Sequence, residues 1–127
     1  MTTGQKLLLL ADDEILIQRL MEPHLQRAGY HVLIAGDGRV ALELAERELP
    51  ELIVLDIMMP EVNGWDVMEE LQRKETTASI PVVVLSAATA EADLQRGYRM
   101  GIKNYLTKPF EIRELISEIK KVVRTTK

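Results

Sequence analysis

The chain has 127 residues, 46% of them hydrophobic and 28% charged, with a formal net charge of −4 and no cysteine. That length fits one domain with a single sizeable core, and the balance is that of a folded chain rather than a disordered one. The acidic balance argues against a direct nucleic-acid binder, which usually carries a basic face, and the lack of cysteine excludes disulfides, thiolate catalysis and cysteine-held metals.

The opening MTTGQK is polar and does not resemble a signal peptide. KLLLLA (6–11) is the first of five apolar segments of strand length. None approaches the roughly 20 apolar residues needed to cross a bilayer, so a cytoplasmic protein with no membrane contact is expected. Residues 14–28 place Ile17, Leu20, Met21, Leu25 and Ala28 on one helical face, with Pro23 inside the pattern. HVLIA (31–35) is the weakest strand segment. Val40, Ala41, Leu44 and Ala45 then form a second helical stripe. ELIVLD (51–56) is a continuously apolar strand that ends on a carboxylate, Asp56. Val67, Met68 and Leu71 make a third, shorter stripe. PVVVLS (81–86) is again continuously apolar. Residues 90–100 are the least regular helix, with Leu94 and Tyr98 as candidate inward positions. NYLTK (104–108) is the last strand, and Ile112, Leu115, Ile116, Ile119, Val122 and Val123 give the cleanest helical repeat.

Continuously apolar strands are those covered on both faces, as in parallel sheets. Strand and helix alternate five times, which favours an α/β fold with right-handed crossovers. Five strands are too few for a closed eight-stranded barrel, so the expectation is a single domain (1–127) with an open, doubly wound parallel sheet and five helices.

In such sheets ligands bind beyond the carboxyl ends of the strands. Those ends carry Asp12, Asp13 and Glu14 after the first strand, Asp56 on the third, Ser86 on the fourth and Lys108 on the fifth. Each has a plain explanation alone; Asp13, for example, is a suitable cap for the first helix. Together they do not. Three carboxylates at one edge repel and raise one another's pKa, a cost that a bound cation relieves. Oxygen ligands favour Mg2+, with Ca2+ or Mn2+ as alternatives. A cation, a lysine and a hydroxyl beside one carboxylate make a kit for phosphoryl transfer, with the carboxylate able to act as nucleophile.

Four motifs, ADDE (11–14), LDIMMPEVNG (55–64), LSA (85–87) and YLTKPF (105–110), occur in an order and spacing that resemble the receiver domain of bacterial two-component response regulators over essentially the whole chain. The resemblance implies a flavodoxin-like sheet of strand order 2-1-3-4-5. It implies that Asp56 is the phosphoacceptor and that Asp12 and Asp13 hold Mg2+ together with Asp56 and the main-chain carbonyl of Met58. It implies that Ser86 hydrogen-bonds the phosphoryl group, that Lys108 pairs with it, and that Pro109 follows in a cis linkage. Tyr105, two residues after Lys103, occupies the switch-aromatic position that responds to Ser86. The implied partners are a sensor histidine kinase or histidine phosphotransfer protein as donor and a downstream effector protein or domain. The implied readout, including any dimer, is the face of the fourth helix, fifth strand and fifth helix. Such a protein is not a conventional enzyme, although it catalyses its own phosphorylation and dephosphorylation. Gly101-Ile102 departs from the family's more usual Gly-Ala.

Other readings fare worse. A flavin binder needs a phosphate-cradling loop after the first strand, but ADDEIL is acidic and glycine-free. A haloacid-dehalogenase-type phosphatase wants a second acid two residues after its nucleophile, where this chain has Met58. A degenerate receiver acting only as a protein-interaction module is the remaining alternative, and metal titration separates it. His24 and His31 are isolated, and Trp65 suits core or loop packing.

Overall fold

A computed structural model of the chain describes residues 6–59, 61–87, 91–102 and 104–125. The apolar runs become five strands: β1 (Lys6–Ala11), β2 (Tyr30–Ala35), β3 (Leu52–Asp56), β4 (Val82–Ala87) and β5 (Asn104–Lys108). All pair in parallel in the order β2-β1-β3-β4-β5, each within a residue of its expected bounds. All five residues of β3 are buried, which is what a continuously apolar central strand requires.

The helices are α1 (Ile15–Arg27), α2 (Gly38–Glu48), α3 (Gly64–Arg73), α4 (Glu75–Ala78), α5 (Glu91–Arg99) and α6 (Ile112–Thr125). Five were expected. The sixth, α4, is a four-residue turn, too short to show a hydrophobic period. It is pinned by Thr77, which is buried and whose Oγ1 donates to the Leu71 carbonyl at 2.7 Å. That carbonyl lies in the last turn of α3, where helical partners run out.

Alternation along each strand sends side chains to two cores. Leu8, Leu10, Leu52, Val54, Val83 and Leu85 meet Met21 and Leu25 of α1 and Leu115 and Ile119 of α6. Leu9, Ile53, Leu55 and Val84 meet Ala41 and Ala45 of α2 and Val67, Met68 and Leu71 of α3. A fully buried leucine contributes about 2 kcal/mol by removal from water, so the strands are anchored from both sides.

Some expected inward residues face out. Leu20, Ala28 and Val40 are exposed, because the buried line of α1 narrows to Met21 and Leu25 and α2 turns Ala41 and Ala45 inward. Tyr98 is 67% exposed; α5 turns its neighbour Gly97 toward the sheet instead. The side chain of Leu94, and Pro60 and Lys103, lie outside the described residues.

Local chemistry sets the helix starts. Asp37 caps α2 by accepting the Val40 amide at 2.9 Å, and Asn63 caps α3 by accepting that of Asp66 at 3.0 Å. Gly64 is required by close approach: a Cβ there would lie 2.5 Å from the Ile57 Cα and 2.7 Å from the Asp56 carbonyl oxygen. The Asn-Gly pair therefore folds the chain tightly back over the end of β3. No helix among the described residues is long and apolar enough to cross a membrane.

Candidate functional site

The parallel register carries the ends of β1, β3, β4 and β5 to one edge of the sheet. Asp12 follows the last residue of β1, Asp56 ends β3 and Lys108 ends β5. Leu8 and Leu10, Leu52 and Val54, and Leu106 all face the core of α1 and α6. Alternation places Asp12, Asp56 and Lys108 on that same side. Asp12 and Asp56 are both buried, at 0% and 1% exposure.

Lys108 gathers the acids. Its Nζ lies 2.9 Å from Asp56 Oδ2, 3.3 Å from Glu14 Oε1 and 3.6 Å from Asp12 Oδ2. Burial alone would lower the lysine pKa, but the hydrogen bond to Asp56, the charges of Asp56 and Asp12, and the hydrogen bond to Glu14 outweigh it and leave it raised. Asp56 is also held on its other oxygen, where Oδ1 accepts the Met58 amide at 3.0 Å. Its carboxylate is thereby fixed in orientation.

Asp12 is the strained member. Burial pushes its carboxyl up to about 6; the Glu14 amide, donating to Oδ1 at 2.9 Å, pulls the other way, Asp56 adds repulsion and Lys108 relieves some of it. Its Oδ2 is buried and accepts no hydrogen bond among the described residues. Asp13 is exposed and is not spent on capping, since the N-cap of α1 is Glu14, which makes no side-chain cap bond. One oxygen each from Asp12, Asp13 and Asp56 fall within 4.8 Å of one another. A buried carboxylate oxygen that accepts no hydrogen bond, in a cluster of three acids, suits a hard divalent cation, so the acidic pocket fits a metal.

Ser86 is buried at 2% and stands one position beyond Leu85, the register partner of Asp56. It shares its side of the sheet with Val84, whose register partner is Tyr105. By the same alternation Ser86 points to the side of the sheet opposite Asp12, Asp56 and Lys108, the side that carries Tyr105. Met58 has its side chain 66% exposed. The Lys108-Pro109 peptide is cis. A cleft of about 480 Å3 opens beside Asp56 and Lys108, walled by Ile17, Leu20, Met21, Met58 and Phe110.

Glu14, which the sequence placed at this edge without a role, is the third carboxylate on Lys108, and one participant, Gln18, was not singled out at all. Gln18 donates from Nε2 to the Asp12 main-chain carbonyl at 2.6 Å, and only its place one turn after Glu14 could have hinted at it. Trp65 is buried, as its packing role requires, with the Arg96 guanidinium carbon 5.2 Å from its ring centroid.

The pattern of the response regulator receiver domain matches residues 8–120. A probable transcriptional regulator ycf27 of Cyanophora paradoxa is 41% identical over 126 residues, which cover 99% of this chain and 52% of that protein. The alkaline phosphatase synthesis transcriptional regulatory protein PhoP of Bacillus subtilis is 40% identical over 94% of this chain and 49% of its own length. The chain thus spans about half the length of the curated relatives it matches. Among solved structures, the Francisella response regulator 1452 receiver domain superposes with a TM-score of 0.86 at 32% identity, covering 97% of this chain and all of that one. The receiver domain of the sensor histidine kinase PA1611 from Pseudomonas aeruginosa, with a magnesium ion coordinated in its active site cleft, gives 0.86 at 27% identity over 95% of this chain and 99% of its own.

Proposed function

Because this chain belongs to the response regulator receiver domain family, we propose that it is a phosphorylation-dependent signalling switch in which Asp56 accepts a phosphoryl group. The observation that carries the reading is the environment of Asp56: a buried carboxylate locked by Lys108 and the Met58 amide, beside two further acids. We take residues 1–127 as one such domain.

The donor is a phosphohistidine on a sensor histidine kinase or phosphotransfer protein. An Asp56 oxygen bonds to phosphorus as the phosphorus–nitrogen bond breaks, its electron pair remaining on the imidazole, and an aspartyl phosphate results. Lys108 leaves the carboxylate it now pairs with and neutralises one phosphoryl oxygen; Ser86 donates its hydroxyl to another. Asp12, Asp13, Asp56 and the Met58 carbonyl would hold Mg2+, whose charge offsets that of the transferring group. The magnesium in the Pseudomonas aeruginosa neighbour supports that choice of ion.

The new group adds charge and acceptor oxygens at the sheet edge. Ser86, drawn toward it, alters the packing around Tyr105 on the same face, and the change reaches the surface formed by α5, β5 and α6. That surface meets the effector or a second receiver, in the cytoplasm. The test is incubation of the whole chain with acetyl phosphate and Mg2+, read by intact mass. The wild type should gain one acid-stable, base-labile phosphoryl group and Asp56→Asn none. An equal gain on Asp56→Asn would overturn the assignment.

A further inference from the structure

A helix interior is a poor place for glycine, which loses more backbone freedom there than any other residue. Gly97 nevertheless lies inside α5 and is buried. The reason stands across the gap on β5. A Cβ at position 97 would coincide with the Tyr105 hydroxyl oxygen, and would stand 3.1 Å from ring carbon Cε1. The hydroxyl end of Tyr105 rests on bare helix backbone.

Two further contacts define the place. The Tyr98 ring meets that of Tyr105 edge-on, with centroids 5.9 Å apart and planes at 63°, a favoured aromatic geometry. Exposed Tyr98 therefore forms the outer wall and Gly97 the floor. The helix is meanwhile tied to α3. Arg96 lies over Trp65 and pairs with Glu69 at 3.2 Å, and Gln72 donates to the Met100 carbonyl at 2.7 Å. These contacts hold α5 against α3.

We propose that Gly97 is a positioning residue for Tyr105: its missing side chain is the seat that admits the tyrosine hydroxyl, and the size of residue 97 sets whether the ring lies in or out. The regulatory consequence rests on the reading of Tyr105 as the switch aromatic; the seat itself does not. In Gly97→Ala the methyl group and the hydroxyl compete for one space. Rotation of Tyr105 about Cα–Cβ gives way more easily than a helix held by three contacts.

The test uses the whole chain with its three tyrosines, Tyr30, Tyr98 and Tyr105, replaced by 3-fluorotyrosine. Tyr105→Phe identifies the Tyr105 fluorine resonance. In Gly97→Ala that resonance should broaden under a dissolved nitroxide as much as the exposed Tyr98 signal does, while Tyr30 stays protected. A Tyr105 signal that remains shielded in folded Gly97→Ala overturns the proposal. Should Gly97→Ala fail to fold, urea denaturation of Gly97→Ala in the Tyr105→Ala background decides. With the ring gone, alanine should match or exceed glycine in stability, and a less stable double variant overturns the seat.

Binding of beryllofluoride with Mg2+, followed by the fluorescence of Trp65, then reads the switch. The half-saturating concentration should rise about tenfold in Gly97→Ala, and not at all when the same change is made in Tyr105→Ala. A displaced ring with unchanged half-saturation upholds the seat and overturns the switch role of Tyr105. Absence of any beryllofluoride binding by the wild type overturns the reading of Asp56 and leaves the fluorine result standing.

Discussion

Lys108 Nζ stands 2.9 Å from Asp56 Oδ2, the shortest of the three carboxylate approaches it makes. The lysine thus occupies the role of a cation between acids that would otherwise repel. Its raised pKa gives a contribution to stability that is present in full below its unfolded value near 10.5 and is lost only as the pH rises through the folded one. At neutral pH the contribution is complete. Lys108→Met should therefore leave Asp56 and Asp12 uncompensated, costing about 3 kcal/mol, the low end for a buried pair because a quarter of the lysine side chain is in water. Urea denaturation at pH 7 without divalent ions measures it. Added Mg2+ should restore part of the loss, and an unchanged midpoint would contradict the compensating role.

Asp12 should make the fold less stable as the pH rises. Its carboxyl titrates near 6 in the folded chain, against the ordinary 3.8 of an exposed aspartate. A raised folded value means that the folded state favours the proton. The associated stability is fully present below pH 3.8 and is lost as the pH climbs through 6. The whole effect is about 3 kcal/mol. Asp12→Asn, which mimics the protonated form, should match the wild type near pH 4 and exceed it in urea midpoint at pH 7. Saturating Mg2+ should narrow the gap at pH 7, because a ligand bound to the folded state stabilises it.

The sequence made the sheet legible because three of its strands are continuously apolar and because polar residues gather at their carboxyl ends. Asp12, Asp13, Asp56, Ser86 and Lys108 could be placed at one edge from that alone. The helices were less legible where a single residue decides the facing. Tyr98 has the size and spacing of an inward residue, yet Gly97 faces the sheet, since an absent side chain leaves no hydrophobic signal. α4 escaped notice because its anchor is one hydroxyl, and Gln18 because a side-chain bond to a main-chain carbonyl has no pattern of its own.

Gln18 should tune the acidic pocket through the main chain of Asp12, without touching the carboxylates that would bind the metal. Its amide group clamps the Asp12 carbonyl at 2.6 Å, and the Asp12 amide donates to the Ala35 carbonyl at 3.1 Å. The loop that presents Asp12 and Asp13 is thus held from α1 and from β2. Gln18→Leu keeps the volume and removes the donor. Supporting bonds around metal ligands are worth about tenfold or more in affinity, so the apparent Mg2+ dissociation constant should rise about tenfold in a fluorescence titration. Gln18→Glu should not rescue it, since a carboxylate cannot donate to a carbonyl. Wild-type affinity in Gln18→Leu would show that the loop is rigid without the clamp.

Thr77 offers a test far from the acids. The last carbonyls of α3 need partners, and the Thr77 hydroxyl supplies one to Leu71 from inside α4. Thr77 is 1% exposed, so water does not replace the bond easily. Thr77→Val preserves shape and removes the donor, and the stranded carbonyl should cost about 1–2 kcal/mol in urea denaturation. Thr77→Ser keeps the hydroxyl and gives up only a methyl group, so it should lose less, about 1 kcal/mol. The order of the two variants carries the argument. If valine were the more stable replacement, packing rather than the hydrogen bond would be what holds α4 against α3. Neither variant should alter Mg2+ affinity, because the Thr77–Leu71 bond takes no part in the hydrogen bonds and ion pairs that hold Asp12, Asp56 and Lys108.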